Sequence, residues 1–93
     1  MKLHILKSYP YNFQMVVDKT MSFQLRVADR DYQTGDLIFL REYTEEGEYT
    51  GRTQPAKINN VTIGDGLEVD YVILNMELVS LVILEGKRYE SKL

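Results

Sequence analysis

Ser22–Glu42, SFQLRVADRDYQTGDLIFLRE, is the stretch that decides which fold the sequence predicts. Apolar and polar residues alternate at its start, which is typical of a strand with one buried face. A Thr-Gly-Asp turn at 34–36 separates this strand from a second apolar run. Neither the strand nor the turn requires Arg26 and Arg30 to be interleaved with aspartates. These two arginines are therefore the first candidates for a functional site.

The alternation also assigns the two faces of the first strand. Phe23, Leu25 and Val27 share one face, which we expect to be buried because it is apolar. Arg26 should then lie on the opposite, accessible face. The stretch therefore predicts a small β-barrel with a cleft lined by guanidinium groups.

Short apolar runs divided by turn residues fill the rest of the chain. A strand at His4–Ser8 should end at Pro10, and Pro10–Asp18 has the apolar spacing of a short helix. Pro55 should make the end of the Tyr49–Ala56 strand an edge or a break, because proline cannot donate to a central ladder. The other predicted strands are Leu37–Tyr43, Tyr49–Ala56, Lys57–Ile63, Tyr71–Met76 and Leu78–Leu84, with polar turns at 44–48 and 64–66 and a charged tail after Gly86.

These elements predict a mainly β (α+β) fold. We expect a closed or nearly closed β-barrel of six to seven strands with one short N-terminal helix. The 93 residues are enough for one core and too few for two, so residues 1–93 should form a single domain.

Composition narrows the compartment and the chemistry. The chain has no cysteine, which removes disulfides, thiolate nucleophiles and cysteine-type zinc sites. No signal peptide is visible at the start. The longest apolar stretch, Tyr71–Leu84, is interrupted by polar residues and too short to span a bilayer. We therefore expect a soluble, cytoplasmic protein that does not associate with membranes.

Charge is divided unevenly along the chain. Residues 1–41 contain six Lys/Arg and four Asp/Glu, whereas residues 42–93 contain five and ten, giving a net charge of −3. This balance argues against tight, sequence-independent binding to a long phosphate backbone. An anion site should lie in the first half, unless both halves are simply solvated surface.

No catalytic or cofactor motif stands out. His4 is the sole histidine, so it is either a strand residue with a local hydrogen bond or a donor, with Lys7, at a cleft. A metal site would need carboxylates alone beside it, and we expect none. The glycines form no phosphate-binding loop before a helix, and we expect no cofactor.

The arginines and tyrosines remain as candidate ligand-binding groups. Asp29 and Asp31 could hold Arg30 ready for a ligand, or the three could form a structural ion-pair network. The tyrosines could stack on bases or could be half-buried packing residues. The arginines in question are Arg26, Arg30, Arg41 and Arg52, and the tyrosines are Tyr9, Tyr11, Tyr32, Tyr43 and Tyr49.

Several short motifs from residue 4 to about residue 78 occur in a characteristic order. They are HILK at 4–7, FQLR at 23–26, DRDY at 29–32, GD at 35–36, LREY at 40–43 and YTGR at 49–52. In order and spacing they resemble a small prokaryotic and phage branch of the ASCH domains. The resemblance implies a PUA-like β-barrel with a cleft beside the N-terminal helix. It also implies RNA binding, or hydrolysis of acylated cytidine nucleosides as in some bacterial members.

The signature of the resembled family falls on Lys19, Met21, Gln24 and Arg26, and only the arginine is kept. Hydrolytic members use a lysine and a threonine at the positions that Met21 and Gln24 occupy here. A methionine cannot transfer a proton, and a glutamine amide is not a nucleophile. The resemblance therefore implies a binding domain without the hydrolase mechanism.

Three hypotheses follow. The first is a non-catalytic domain that binds RNA or a nucleotide, with Arg26 on a phosphate or base edge and Gln24 reading a polar edge. The second is an amidohydrolase-like enzyme that acts on acylated nucleosides through an altered site. The third is a protein-interaction module with Leu78–Leu84 as a free strand edge. The predicted ligand-binding set is Arg26, Arg30, Gln24, His4, Lys7, Asp29 and Arg52.

Overall fold

A computed structural model describes the backbone of residues 1–63, 70–84 and 87–92, and the side chains of residues 1–63 and 70–80. The described chain is mainly β, with one short helix and six strands. In chain order, these are β1 (Leu3–Ser8), α1 (Pro10–Val17), β2 (Phe23–Val27), β3 (Leu37–Tyr43), β4 (Tyr49–Thr62), β5 (Tyr71–Leu84) and β6 (Lys87–Lys92).

One mixed sheet carries the fold. Its strand order is β1-β3-β4-β5-β2, and β6 pairs with the second half of β5. β1 runs parallel to β3, and every other pairing is antiparallel. The sheet is curled, so that its first and last strands come close together. Nη2 of Arg26 on β2 lies 2.7 Å from the carbonyl oxygen of Lys7 on β1. The gap between these two strands, which end the order, is called the seam below.

The core lies on the inner face of the curled sheet and is covered by α1. The helix begins at Pro10, directly after the extended Tyr9, and it buries Phe13 and Val16. It ends where Lys19 adopts a left-handed conformation with φ of 63°. The sheet residues that complete this core are Leu6, Tyr32, Ile38, Leu40, Ala56, Ile58, Val72, Leu74 and Met76.

Two predicted strand breaks, after Ala56 and after Met76, are wrong. β4 continues from Tyr49 to Thr62, and Pro55 lies opposite Phe39 of β3 at a local edge, which is one of the two places predicted for it. Pairing of β4 with β5 starts only at Ala56, so Pro55 has a partner strand on one side and its missing N–H is tolerated. β5 continues through Glu77, which lies opposite Lys57. The chain therefore has two long strands where the sequence predicts four short ones.

Other predicted elements are confirmed, with exceptions at the end of the chain. The opening strand, the helix, β2 and β3 lie within one residue of their predicted bounds. The turn at 34–36 has φ of 95° at Gly35, which a residue without a Cβ adopts freely. The predicted turn at 64–66 lies outside the described residues. The charged tail was not predicted as a strand, yet its backbone forms β6.

The predicted faces of β2 are wrong. Phe23, Leu25 and Val27 have exposed fractions of 41%, 55% and 48%, whereas Gln24 is buried at 6%. The reason is the register with β5, which places Gln24 opposite Leu74. Cross-strand partners share a face, and Leu74 is in the core. Arg26 therefore points inward, and the apolar set lies on the outer face.

Candidate functional site

Two adjoining cavities open at the seam. The larger, called the arginine cleft, has a volume of about 310 Å³ and the smaller, called the tyrosine pocket, about 170 Å³. Lys7 and Arg26 line both, so the two cavities are neighbours. The arginine cleft is completed by Ile5, Leu6, Val27, Asp29, Arg30 and Tyr32, and the tyrosine pocket by Tyr9 and Tyr43.

Arg26 is the central side chain of the seam. Its Nη2 donates to the carbonyl oxygen of Lys7 at 2.7 Å and to Oε1 of Gln24 at 2.9 Å. Its Nε is buried and has no hydrogen-bond partner among the side chains and backbone that the structure describes. Burial lowers the pKa of Arg26 below its ordinary value, with a further lowering from the charge of Arg30. Among the described side chains, no carboxylate forms an ion pair with Arg26.

A second buried polar atom, Oγ of Ser8 on β1, also has no hydrogen-bond partner among the described residues. Ser8 follows the residue whose carbonyl group accepts from Arg26, but it lines neither seam cavity. Buried polar groups in native proteins are nearly always hydrogen-bonded, because the loss of water otherwise costs about 1–3 kcal/mol. Nε of Arg26 and Oγ of Ser8 depart from this pattern. Ser8 was not singled out from the sequence, because only its burial distinguishes it from other serines.

Arg30 shares the arginine cleft with Arg26, but one predicted contact is wrong. Nε of Arg30 lies 3.6 Å from the carboxylate of Asp29, and both side chains are largely exposed. Asp31 instead accepts from Gln33 at 2.6 Å and lies 3.7 Å from the ammonium group of Lys2. Arg30 is therefore held by one aspartate and not by two. Its guanidinium lies 5.9 Å from the ring centre of Tyr32.

Gln24 is a positioning residue and does not lie on an accessible face as predicted. Its amide donates to the carbonyl oxygen of Phe23 at 3.1 Å and contacts the sulfur of Met21 at 3.9 Å. Its oxygen accepts from Arg26. All of its amide groups are used within the chain, so Gln24 fixes the rotamer of Arg26.

His4 lies behind the cleft and does not line it. Its Nε2 lies 2.8 Å from Oδ2 of Asp36, and its ring centre is 4.7 Å from that of Tyr32. Asp36 also accepts from the backbone N–H groups of Lys2 and Gln33, each at 3.0 Å. Burial alone would raise the pKa of Asp36, but these hydrogen bonds hold it below its ordinary value of 3.8. This cluster, called the Asp36 cluster, supports Tyr32 from inside.

Arg52 also lies away from both cavities. Its guanidinium donates to Glu42 at 3.3 Å and to Gln14 at 3.0 Å. It stacks over the ring of Phe13, with 4.8 Å between the guanidinium carbon and the ring centre. These contacts tie β4 to α1. The structure thus brings Arg26, Arg30, Lys7 and Asp29 together, and leaves His4 and Arg52 outside the cavities.

Aromatic rings and cations alternate next to the tyrosine pocket. Nζ of Lys7 lies 4.4 Å from the ring centre of Tyr43, whose own ring meets that of Tyr49 edge-on at 4.9 Å. The guanidinium carbon of Arg41 lies 3.7 Å from the ring centre of Tyr49. The register explains this cluster, since Lys7 lies opposite Arg41 and Tyr43 lies opposite Tyr49. Residue type alone selected Tyr43, Tyr49, Lys7 and Arg41 from the sequence, but only the register brings them together.

A further cavity of about 270 Å³ lies between the end of α1 and β5. It contains two of the four positions of the resembled signature, Lys19 and Met21, while Arg26 lies in the seam. Gln24 contacts both Met21 and Arg26, so it lies between the cavity at the end of α1 and the seam. The lining is Val16, Lys19, Met21, Ser22, Met76, Glu77 and Leu78.

The described residues contain neither a membrane-spanning helix nor a cluster of metal-ligating side chains. No helix there is long and apolar enough to cross a membrane. In the same part of the chain, no three or more His, Cys, Asp or Glu side chains come together as a metal site.

Comparison with known proteins assigns a family. Residues 3–76 match the model of a domain of unknown function, DUF3850, and the chain belongs to this family. It is 36% identical over 87 residues to the "Uncharacterized 12.9 kDa protein in GpA 3'region" of Escherichia phage P2. That alignment covers 92% of this chain and 78% of the phage protein. The family match includes every residue that lines the two seam cavities.

Proposed function

We propose that this chain is a small PUA-like domain that binds RNA or a nucleotide at the arginine cleft without catalysing a reaction. One observation carries the proposal. Arg26, whose buried Nε has no partner among the described residues, lines a cavity together with Lys7 and Arg30. The ASCH-like order of motifs and the curled sheet with α1 against it support the same class.

The cleft has the chemistry of a phosphate site. Three cations, Lys7, Arg26 and Arg30, line it together with a single carboxylate, that of Asp29. Guanidinium groups bind phosphate through two parallel hydrogen bonds, and such charge-assisted bonds are strong when partly buried. The net charge of −3 favours a short ligand over a long duplex, because the rest of the surface repels phosphates.

The contacts near the signature positions favour binding over hydrolysis. Met21 and Gln24 contact each other and supply no general base. The hydroxyl of Thr20 donates to the carbonyl oxygen of Met15 and is therefore engaged. Oγ of Ser8 has no hydrogen-bond partner, so no base activates it. The amidohydrolase-like alternative would need a nucleophile that is hydrogen-bonded to a general base, and these residues do not provide one.

A protein-interaction role is the second candidate, but at a different place from the one predicted. The Val79–Leu84 part of Leu78–Leu84 pairs with β6, so it is not a free edge on that side. The outer face of β2 exposes Phe23, Leu25 and Val27 side by side instead. An exposed apolar stripe on the last strand of a sheet order favours contact with another protein.

The test is a titration of fluorescent short RNAs and of mononucleotides at two salt concentrations. Wild type is compared with Arg26→Met, Arg30→Ala and the control Lys19→Gln, which removes one positive charge from the cavity at the end of α1. We expect saturable binding that Arg26→Met abolishes, Arg30→Ala weakens and Lys19→Gln leaves unchanged. Circular dichroism checks that each variant is folded.

Four outcomes would contradict the proposal. Equal losses in all three variants would indicate non-specific charge attraction. A loss confined to Lys19→Gln would move the site to the cavity at the end of α1, and acetate release from N4-acetylcytidine would favour the hydrolase. If no ligand binds, a dimer by light scattering that Leu25→Ser dissociates would favour the protein-interaction role.

A further inference from the structure

The tyrosine pocket adjoins the arginine cleft and differs from it in chemistry. Two phenol rings, Tyr9 and Tyr43, form its walls, and Lys7 and Arg26 separate it from the cleft. Its volume of about 170 Å³ is below the usual 300–1,000 Å³ range of pockets that enclose a whole small ligand. The pocket therefore suits one planar group of a ligand whose remainder lies next to it.

The ring of Tyr43 is held in place by its neighbours. Tyr43 packs under Nζ of Lys7 on one side and against Tyr49 at its edge. Tyr9 precedes Pro10 at the start of α1 and is 55% exposed, so its ring is accessible to a ligand. Aromatic side chains with neighbouring cations are the usual platform for an unpaired base, since every base has a π-face.

We infer that the tyrosine pocket takes the base of a nucleotide whose phosphate binds Arg26 in the arginine cleft. This inference rests on the proposed function and specifies its ligand class as an unpaired nucleotide, either free or at a single-stranded position. The two cavities share Arg26 and Lys7 as lining residues, so they lie side by side, and the ribose is assigned to the place between them. A duplex does not fit this class, because its bases are already stacked on one another.

Other small ligands would contact only one of the two cavities. A phosphate or a sugar phosphate would bind Arg26 and leave the rings of Tyr9 and Tyr43 without a partner. A nucleoside would reach the rings and leave the buried Nε of Arg26 unsatisfied. A nucleotide is the smallest ligand that contacts both the guanidinium of Arg26 and the tyrosine rings. Its affinity should therefore exceed that of a sugar phosphate or of a nucleoside alone.

The test is isothermal titration calorimetry with the four ribonucleoside 5′-monophosphates, ribose 5-phosphate, a single-stranded trinucleotide and a short RNA duplex. Tyr9→Leu removes a ring of the pocket, and Tyr9→Phe keeps it. Tyr11→Leu is the matched control, because Tyr11 lies two residues away, is 78% exposed and lines none of the three cavities.

We expect Tyr9→Leu to raise the Kd of at least one monophosphate and of the trinucleotide about tenfold, as loss of one stacking ring does. Its Kd for ribose 5-phosphate should stay as in wild type. Tyr9→Phe and Tyr11→Leu should bind all probes as wild type does. Wild type should bind the trinucleotide more tightly than the duplex.

The failures of the two proposals are distinguishable. Suppose that wild type binds nucleotides and Arg26→Met abolishes this binding, but Tyr9→Leu behaves like Tyr11→Leu. The arginine cleft then stands and the base pocket is wrong. The base pocket is equally overturned if ribose 5-phosphate binds as tightly as every monophosphate, or if the duplex binds more tightly. If wild type binds none of these probes, both proposals are wrong.

Discussion

The Asp36 cluster and the seam each hold a charged group on the inner side of the sheet, and they treat it in opposite ways. The carboxylate of Asp36 accepts three hydrogen bonds, from His4 and from the backbone of Lys2 and Gln33. The guanidinium of Arg26 keeps its Nε without a partner. A fully satisfied charge stabilises the fold, whereas an incompletely satisfied one is left available to a ligand.

The two regions also differ in what surrounds the charge. Asp36 is only 3% exposed, and its carboxylate accepts from His4 on β1, from Lys2 directly before β1 and from Gln33 before β3. Arg26 lies between two cavities that solvent can enter. The comparison predicts that substitutions in the Asp36 cluster change stability, and that substitutions at the seam change binding.

The largest expected effect is that of Asp36→Ala. Removal of the carboxylate leaves His4 and two backbone donors without a buried acceptor, and should cost about 3–5 kcal/mol in the free energy of unfolding. Urea unfolding followed by circular dichroism measures this cost. Asp36→Asn should lose less, because it retains one acceptor. The control Asp31→Ala removes an exposed carboxylate and should change stability by less than about 0.5 kcal/mol; equal losses would refute the comparison.

Acid should weaken the same cluster. The pKa of Asp36 in the folded chain lies below its ordinary value of 3.8, so this carboxylate stabilises the fold fully above that pH. The contribution is lost as the pH falls from 3.8 through the lower folded pKa. We expect the stability difference between wild type and Asp36→Asn to be constant from pH 7 to about 5 and to shrink below pH 4. A difference that grows with acid would show the opposite sign of the shift.

Arg52→Ala should have an intermediate effect on stability and none on binding. Glu42, which is buried, loses the guanidinium but keeps the hydroxyl of Thr50 at 2.7 Å. The free energy of unfolding should fall by about 1 kcal/mol, since the arginine is half-exposed and its ion pair is screened. The Kd for a bound nucleotide should not change. A weaker Kd in a folded variant would return Arg52 to the binding site.

The smallest expected change in stability belongs to Arg26→Met. Methionine fills similar space and removes the cost of a buried charge, which offsets the lost hydrogen bonds to Gln24 and Lys7, so the free energy of unfolding should stay within about 1 kcal/mol of wild type. Nucleotide binding should nevertheless be lost. Thermal unfolding and a binding titration on the same sample measure both. A loss of stability comparable to that of Asp36→Ala would make Arg26 a structural residue.

The sequence was sufficient to predict the types of most elements but not the faces of β2. The alternation in Phe23–Val27 predicts that the strand has two different faces. Hydrophobicity alone then selects Phe23, Leu25 and Val27 as the buried face, which is wrong. Only the register with β5 decides, because Leu74 and Val72 bring Gln24 and Arg26 to the inner side. Register is a long-range property, set here by residues about 50 positions away. Pro55 is similar, since its tolerance depends on where β5 starts to pair.

The candidate site was predictable in part for the same reason. Arg26, Arg30, Lys7 and Asp29 could be selected by residue type, and the structure brings them to one cavity. His4 and Arg52 have equally suitable side chains, but the fold gives them carboxylate partners elsewhere. Ser8 was missed, because only its burial without a partner distinguishes it from other serines.

Among the described residues, the side chain of Arg26 forms the hydrogen bond that joins the two ends of the sheet order. In a closed barrel, a ladder of backbone hydrogen bonds would connect the last strand to the first, and no ligand could compete for those bonds. Here Nη2 of Arg26 makes the connection to Lys7, and the same guanidinium is the proposed anchor for a phosphate. Phosphate binding and the contact between β1 and β2 would therefore use N–H groups of the same guanidinium. A bound phosphate would compete with the contact that holds the seam together, so binding and the spacing of the two strands would be coupled.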